Sequence, residues 1–210
     1  MKTTPTTSAG RVRRVVLTGG IATGKSYVLD RCAERGVPTT DADQLAHAAQ
    51  DPDGPAWQAL RDRFGAGMFD DQGLLDRPKL AALVFADTTA RAALNAIVHP
   101  HVRVAINQWF LDLEAAEAPS LGIVAIPLFY ESPQPEGWHR VIVTACRADT
   151  QLARVMARGL TEDEARRRIA AQLTTPEKVR RADHTIWTDG THAGTDRQVA
   201  EVLRSLLEAS

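Results

Sequence analysis

Short apolar runs and helically spaced apolar positions alternate along the chain. Arg11 to Thr18 holds Val12 and then Val15-Val16-Leu17, a run ended by Gly19-Gly20, and this pattern predicts a buried parallel strand. Lys25 to Arg35 carries Val28, Leu29, Cys32 and Ala33 at helical spacing, with Gly36 placed to close the helix. Val37–Thr40 predicts a short strand leading into Asp41-Ala42-Asp43 and a small helix. Leu121–Ile126 and Arg140–Cys146 predict two further buried strands, and Thr185–Trp187 a last one.

Between these strands the pattern is helical. Pro55-Ala56-Trp57-Gln58-Ala59-Leu60 and Phe64 share a face, and Asp76 is placed as an N-cap with Pro78 just inside the next helix. A longer helix starts at Thr88 or Thr89 and is expected to break or bend at His99-Pro100. Asp149–Arg158 predicts a helix, Thr161-Glu162-Asp163-Glu164 a capping box opening another, and Thr175-Pro176 a third. Asp196–Leu207 is amphipathic, with Val199, Val202, Leu203 and Leu206 inward. Strands alternating with helices predict an α/β fold with a parallel, doubly wound sheet. Residues 44–118 are too long for a simple crossover and predict an inserted helical subdomain within a single domain over 11–210. Met1–Gly10 is expected as a disordered tail.

The length, 210 residues, suits one such unit, and 44% hydrophobic residues can fill an ordinary core. A net charge of −1 argues against a general nucleic-acid binder, and no segment is long and apolar enough to span a bilayer. Cys32 and Cys146 lie in apolar stretches without metal-ligand spacing, as reduced core thiols of a cytoplasmic protein would. The six histidines also lack zinc spacing.

The chemistry concentrates at Gly19-Gly20-Ile21-Ala22-Thr23-Gly24-Lys25-Ser26, which fits G-x-x-x-x-G-K-[ST] at every fixed position. Glycines let backbone N–H groups face phosphate oxygens, and the helix N-terminus adds partial positive charge. The reading is ATP with Mg²⁺: Gly20 to Tyr27 around the phosphates, Lys25 reaching the β- and γ-phosphates, and Ser26 toward the metal. Asp41 and Asp43, two residues apart at a strand end, would face the same way. One could take a proton from an acceptor hydroxyl and the other hold water on Mg²⁺, or both could belong to an acidic turn capping the next helix. Arg147, Arg154, Arg158, Arg166, Arg167, Arg168, Arg180 and Arg181 cluster in the last third. They predict a helical lid over 149–182, with cations for a transferring phosphoryl group, or a solvated basic face paired to Glu162 and Glu164. No guanine-reading Asn-Lys-X-Asp stretch occurs, and Val124-Ala125-Ile126 ends in Pro127 rather than in the Asp-Glu of a motor ATPase.

An ordered set of motifs resembles the dephospho-coenzyme A kinase family. Leu17-Thr18-Gly19-Gly20-Ile21 is followed by Asp41-Ala42-Asp43, Ile97-Val98-His99-Pro100 and Pro127-Leu128-Phe129-Tyr130-Glu131. Gln151-Leu152-Ala153-Arg154, Leu160 to Ala165, Ala171-Gln172 and Arg181-Ala182-Asp183 complete the set. The resemblance runs from about Val15 to Leu206. It implies phosphorylation of the ribose 3′-hydroxyl of dephospho-CoA by ATP, with a small-molecule partner and a monomeric or weakly oligomeric enzyme. It also implies Asp43 as base, Lys25 and Arg154 as stabilisers of the phosphoryl charge, and Arg158 as a second lid contact. Thr18, Asp41, His99, Pro127, Leu128 and Glu131 would lie on the acceptor side. Three departures stand out: Tyr27 after the loop serine, the short Gly159-Leu160 turn, and Ile186-Trp187-Thr188-Asp189-Gly190 where the family tends to read Ile-Asp-Asn. Alternatives are another small-molecule P-loop kinase, acting on a nucleotide, nucleoside or sugar acid, or a catalytically weak nucleotide-binding paralogue.

Overall fold

The computed structural model describes residues 12–116, 120–132 and 137–208. The tail expected over 1–10 lies outside them. Five strands form one sheet in the order β2-β3-β1-β4-β5. These are β1 (Arg13–Gly19), β2 (Thr39–Asp41), β3 (Leu121–Ala125), β4 (Arg140–Ala145) and β5 (His184–Trp187). β1 pairs in parallel with both β3 and β4, and β4 pairs in parallel with β5. The central position of β1 explains its unbroken apolar run, since Val15, Val16 and Leu17 are covered on both faces. The chain fills one side of β1, through β2 and β3, before crossing to the other. That reversal makes the carboxyl end of β1 a topological switch point, where ligands of open α/β sheets bind.

Two compact units divide the chain, one of residues 1–40 with 110–210 and one of residues 41–109. In the first, α1 (Lys25–Ala33) and α9 (His192–Glu208) pack on the sheet through Val28, Cys32, Val199, Leu203 and Leu206. Gly36 closes α1 at a left-handed φ of 78°, with Gly36 N–H on Ala33 C=O and Val37 N–H on Cys32 C=O. Tyr27 lies on α9: its ring stacks 4.6 Å from His192 and its hydroxyl donates to Asp196 at 2.8 Å. Burial pushes the Cys32 thiol up to about 11, which keeps it neutral and inert at neutral pH. The remaining helices of this unit are α6 (Ala148–Met156), α7 (Glu162–Ala170) and α8 (Thr175–Arg181). Thr161 and Glu164 make the expected capping box, and Thr174 caps α8 ahead of Pro176.

The second unit is helical. It contains α2 (Ala42–Gln50), α3 (Trp57–Phe64), α4 (Arg77–Ala86) and most of α5 (Thr88–Ala115). Its own core joins Ala56, Leu60, Met68, Leu75, Leu80 and Val98. Asp76 caps α4 by accepting from Lys79 N–H, as its position before Pro78 predicts. The expected break at Pro100 is corrected, and of the two readings of Asp41 and Asp43 the helix-capping one holds for Asp41. α5 continues through Pro100 without a break; the ring removes one N–H donor, but the helix is assigned on both sides of it. Asp41 and Asp43 do not share a strand end. Asp41 ends β2 and caps α2 by accepting from Asp43 N–H at 2.8 Å, so the helix starts at Ala42 and carries Asp43 in its first turn.

Leu60 is completely buried in the core of the second unit. Leu60→Ala is expected to destabilise that unit by about 2–5 kcal/mol, from lost transfer energy and a residual cavity. Urea melts followed by circular dichroism at 222 nm read the shift.

Candidate active site

β1 delivers the chain to the switch point and turns it sharply at Gly19. A Cβ there would lie 2.1 Å from Thr144 Oγ1 on β4, so only glycine lets the strand pass. Gly24 has φ +89° and stands as N-cap of α1 with no side-chain cap among the described residues. The position of this helix N-terminus and its dipole suit an anion. Lys25 and Ser26 form that first turn, with Ser26 exposed and Lys25 partly so. Ala22 also adopts a left-handed φ of 60°, rare for a residue with a side chain, yet it is buried.

The turn is held from behind by hydroxyls. Thr23 Oγ1 donates to Gly20 C=O at 2.8 Å and lies 2.8 Å from Thr144 Oγ1. Thr188 Oγ1 donates to Thr23 C=O at 2.9 Å. Arg154 on α6 binds Thr188 twice, through Nη1 to Oγ1 at 2.8 Å and Nη2 to the carbonyl at 2.5 Å, and reaches Ala22 C=O at 3.4 Å. Gln151 Nε2 donates to Ile21 C=O, and Gln172 Oε1 accepts from Ile21 N–H, both at 2.8 Å. The side chains of Ile21 and Ala22 meet Leu152, Val155, Leu160, Ala165 and Ile169 of the α6–α7 pair.

The segment after β3 runs beside this turn. Thr18 Oγ1 donates to Pro127 C=O at 3.2 Å, and Leu128 is exposed. Glu131 Oε1 accepts from Leu173 N–H at 2.9 Å and stands 2.7 Å from Lys178 Nζ. Lys178 has no exposed surface, and its ammonium meets the carboxylate off the best hydrogen-bonding direction, so the contact is an ion pair first. Arg158 is exposed in the turn after α6, just before Gly159 at φ +88°. Arg166 pairs with Glu162 on the outer face of α7, the ordinary i,i+4 arrangement.

Within the second unit, Asp43 is exposed. It lines a cavity of about 320 Å³ with His47, Gln50, Arg77, Leu80, Ala81, Val84 and Leu94. Arg77 is fixed there by Asp51 Oδ1 at 2.9 Å and Gln50 Oε1 at 3.3 Å. His99 is half-buried in α5. Its burial, helped by Arg103, pushes the imidazole pKa below its ordinary value and favours the neutral ring.

The Gly19–Ser26 turn, opening into the N-terminus of α1, suits a polyphosphate, and that fit alone does not choose an acceptor. The sequence pattern of the dephospho-CoA kinase family matches residues 13–193, from the first residue of β1 into α9. The chain belongs to the dephospho-CoA kinase family. A dephospho-CoA kinase of Geobacillus kaustophilus is 41% identical over 191 residues, covering 90% of this chain and 94% of that one. One from Bacillus anthracis is 39% identical over 189 residues, with the same two coverages. Among solved structures, TT1252 from Thermus thermophilus is similar at TM-score 0.76 and 32% identity, covering 93% of this chain and 98% of that one. The dephospho-CoA kinase from Campylobacter jejuni is similar at TM-score 0.64 and 25% identity, over 94% and 98%. The fold is that of a P-loop kinase, and as a family member the chain is an ATP-dependent kinase with a hydroxyl acceptor.

Thr188, Thr144, Gln151, Gln172 and Lys178 were not picked out as site residues by the sequence reading. Gln151 and Gln172 entered it only as members of longer motifs. The Thr188 hydroxyl both accepts from Arg154 and donates to the loop. Thr188→Val keeps the shape and strands both partners, so it is expected to cost about 1–3 kcal/mol of stability. If the loop shares that loss, KM for ATP rises by on the order of tenfold. Thr188→Ser should stay near wild type in both thermal melts and steady-state kinetics.

Proposed function

We propose that this chain transfers the γ-phosphoryl group of ATP to the ribose 3′-hydroxyl of dephospho-CoA, giving CoA and ADP. The observation that carries the reading is the conformation of Gly19–Ser26. The turn is closed by glycine, braced from behind by Thr144, Thr188 and Arg154, and opens into the N-terminus of α1, whose dipole favours phosphate. The family match supplies the acceptor.

In this reading the amides of Gly20–Tyr27 hold the phosphates, and Lys25 offsets negative charge on the β- and γ-groups as the bond to the leaving oxygen lengthens. Bound together with ATP, Mg²⁺ would draw negative charge off the phosphates. Ser26 suits it as an exposed hydroxyl in the first turn of α1, and Asp41 suits it through bound water, since one carboxylate oxygen is already used in capping α2. Asp43 accepts the proton of the 3′-hydroxyl and orients that oxygen for in-line attack. Arg154 and Arg158 add positive charge on the lid side. Thr18, His99, Pro127, Leu128 and Glu131 serve the acceptor. The cavity beside Asp43 offers apolar walls in Leu80, Val84 and Leu94 together with the fixed cation of Arg77, a combination suited to a ligand with both alkyl and phosphate parts. We assign the protein to the cytoplasm, as a monomer or weak homo-oligomer; no helix among the described residues is long and apolar enough to cross a membrane.

Acceptor choice tests the reaction. Dephospho-CoA is expected to give a far higher kcat/KM than adenosine, AMP or gluconate in a coupled ADP-release assay. A higher value for any of the other three would replace this reading with that of another small-molecule kinase.

The carboxylates are separable by substitution. Asp43→Asn should lower kcat by roughly 10²–10⁴-fold, the usual contribution of a positioned general base. Its ATP affinity by titration calorimetry should stay unchanged. Asp41→Asn keeps a good N-cap and should be milder, partly relieved by raised Mg²⁺. A silent Asp43→Asn, or a larger defect at Asp41, reverses the assignment.

A further inference from the structure

Ile21 occupies the third position of the phosphate loop, and neither of its backbone groups bonds within the loop. Its N–H donates to Gln172 Oε1 and its C=O accepts from Gln151 Nε2, each at 2.8 Å. The two glutamines meet complementary demands: of a glutamine amide, only the oxygen can accept from an N–H and only the NH₂ can donate to a C=O. Gln151 is buried, and its Nε2 would lie 2.8 Å from a Cβ on Gly20, so the grip also depends on glycine at that position. The Ile21 side chain packs with Leu152 and Val155 of α6 and with Leu160, Ala165 and Ile169 around α7.

Gln172 is not part of a regular element. It follows Ala171, the C-cap of α7, its N–H closing on Ile169 C=O at 3.1 Å. The next residue, Leu173, donates its N–H to Glu131, whose carboxylate is paired with the fully buried Lys178 of α8. The connector between α7 and α8 therefore holds the phosphate loop with one residue and the Pro127–Glu131 segment with the next.

We propose that Gln172 is a positioning residue of this kinase. By holding the Ile21 amide turned toward the α7–α8 connector, it sets the conformation in which the following loop amides face the nucleotide phosphates. Gln151 fixes the same residue from its carbonyl side, and the Glu131–Lys178 pair fixes the connector from which Gln172 reaches. The α6–α7 pair is thus coupled to the phosphate grip through Ile21, beside the Arg154 contact to Ala22 C=O. The proposal rests on the kinase reading for its nucleotide and not on the identity of the acceptor.

Gln172→Met tests it in the full-length protein, because methionine keeps the length and volume of the side chain and removes the acceptor oxygen. ADP binding by titration calorimetry, with no acceptor present, is expected to weaken about fivefold, the worth of one net hydrogen bond. In steady state, KM for ATP should rise by a similar factor while KM for dephospho-CoA and the melting temperature stay close to wild type. Gln172→Ala should show the same split with a larger loss of melting temperature. ADP affinity unchanged in a folded Gln172→Met protein overturns the proposal. So does a loss confined to melting temperature and active fraction, which would mark Gln172 as a structural residue only. Because ADP binding is read without acceptor, a wrong acceptor assignment would leave this result intact.

Discussion

The approach of β1 to β4 at Gly19 constrains everything around the nucleotide loop. The main chain of one strand passes so close to a threonine hydroxyl of its neighbour that no side chain fits between them. That closeness lets Thr144 and Thr23 form a hydroxyl pair beneath the turn, and Thr188 extends the support from the segment after β5. The loop is therefore fixed mainly by contacts on its protein side. A phosphate-binding turn that had to order itself on each encounter would lose binding energy to its own conformational entropy; preorganisation avoids much of that cost.

A second principle runs through the site: side-chain groups are used to occupy backbone groups that the ligand will not use. The amides and carbonyls of a tight glycine-rich turn cannot all point the same way. Ile21 and Ala22 turn theirs toward Gln151, Gln172 and Arg154, while Thr23 N–H closes on Gly20 C=O within the loop. Arg154 illustrates the economy of the arrangement. Proposed above as a lid cation, it also makes three hydrogen bonds that bind α6 to the loop and to the end of β5. Removing it would combine an electrostatic loss with a structural one, so a single substitution there cannot report charge stabilisation alone.

Much of the fold was legible from the chain because its signals are local. The continuous run Val15-Val16-Leu17, the spacing of Gly24-Lys25-Ser26, the Asp76–Pro78 start and the Thr161–Glu164 box each act within a turn or a strand, and each appears where it was expected. Where local rules compete, the sequence leaves the outcome open. Asp41 suits both a strand end and a helix cap and serves as both, which places Asp43 in the first turn of α2. Pro100 should interrupt a helix, but apolar burial of Val98 and Ile106 on either side holds α5 together. The supports of the loop were not legible. Gln172 lies 151 residues from Ile21, and Thr188 lies 165 from Thr23, and no periodicity announces a partner at that distance. Tyr27, conspicuous beside the loop, is explained by α9, which packs against it from the far end of the chain.

Lys178 has a consequence of another kind. A cation without solvent contact survives because one carboxylate lies 2.7 Å away, and that carboxylate belongs to a segment 47 positions earlier. Loss of either partner alone would strand a charge in a medium that solvates it poorly, whereas replacement of both by apolar groups can be tolerated. Positions 131 and 178 thus form one unit of inheritance: a lineage can keep both charges or abandon both, and each intermediate step is penalised. The stretch after β3 and the start of α8 are in this way bound to a shared history, although the sheet does not make them neighbours.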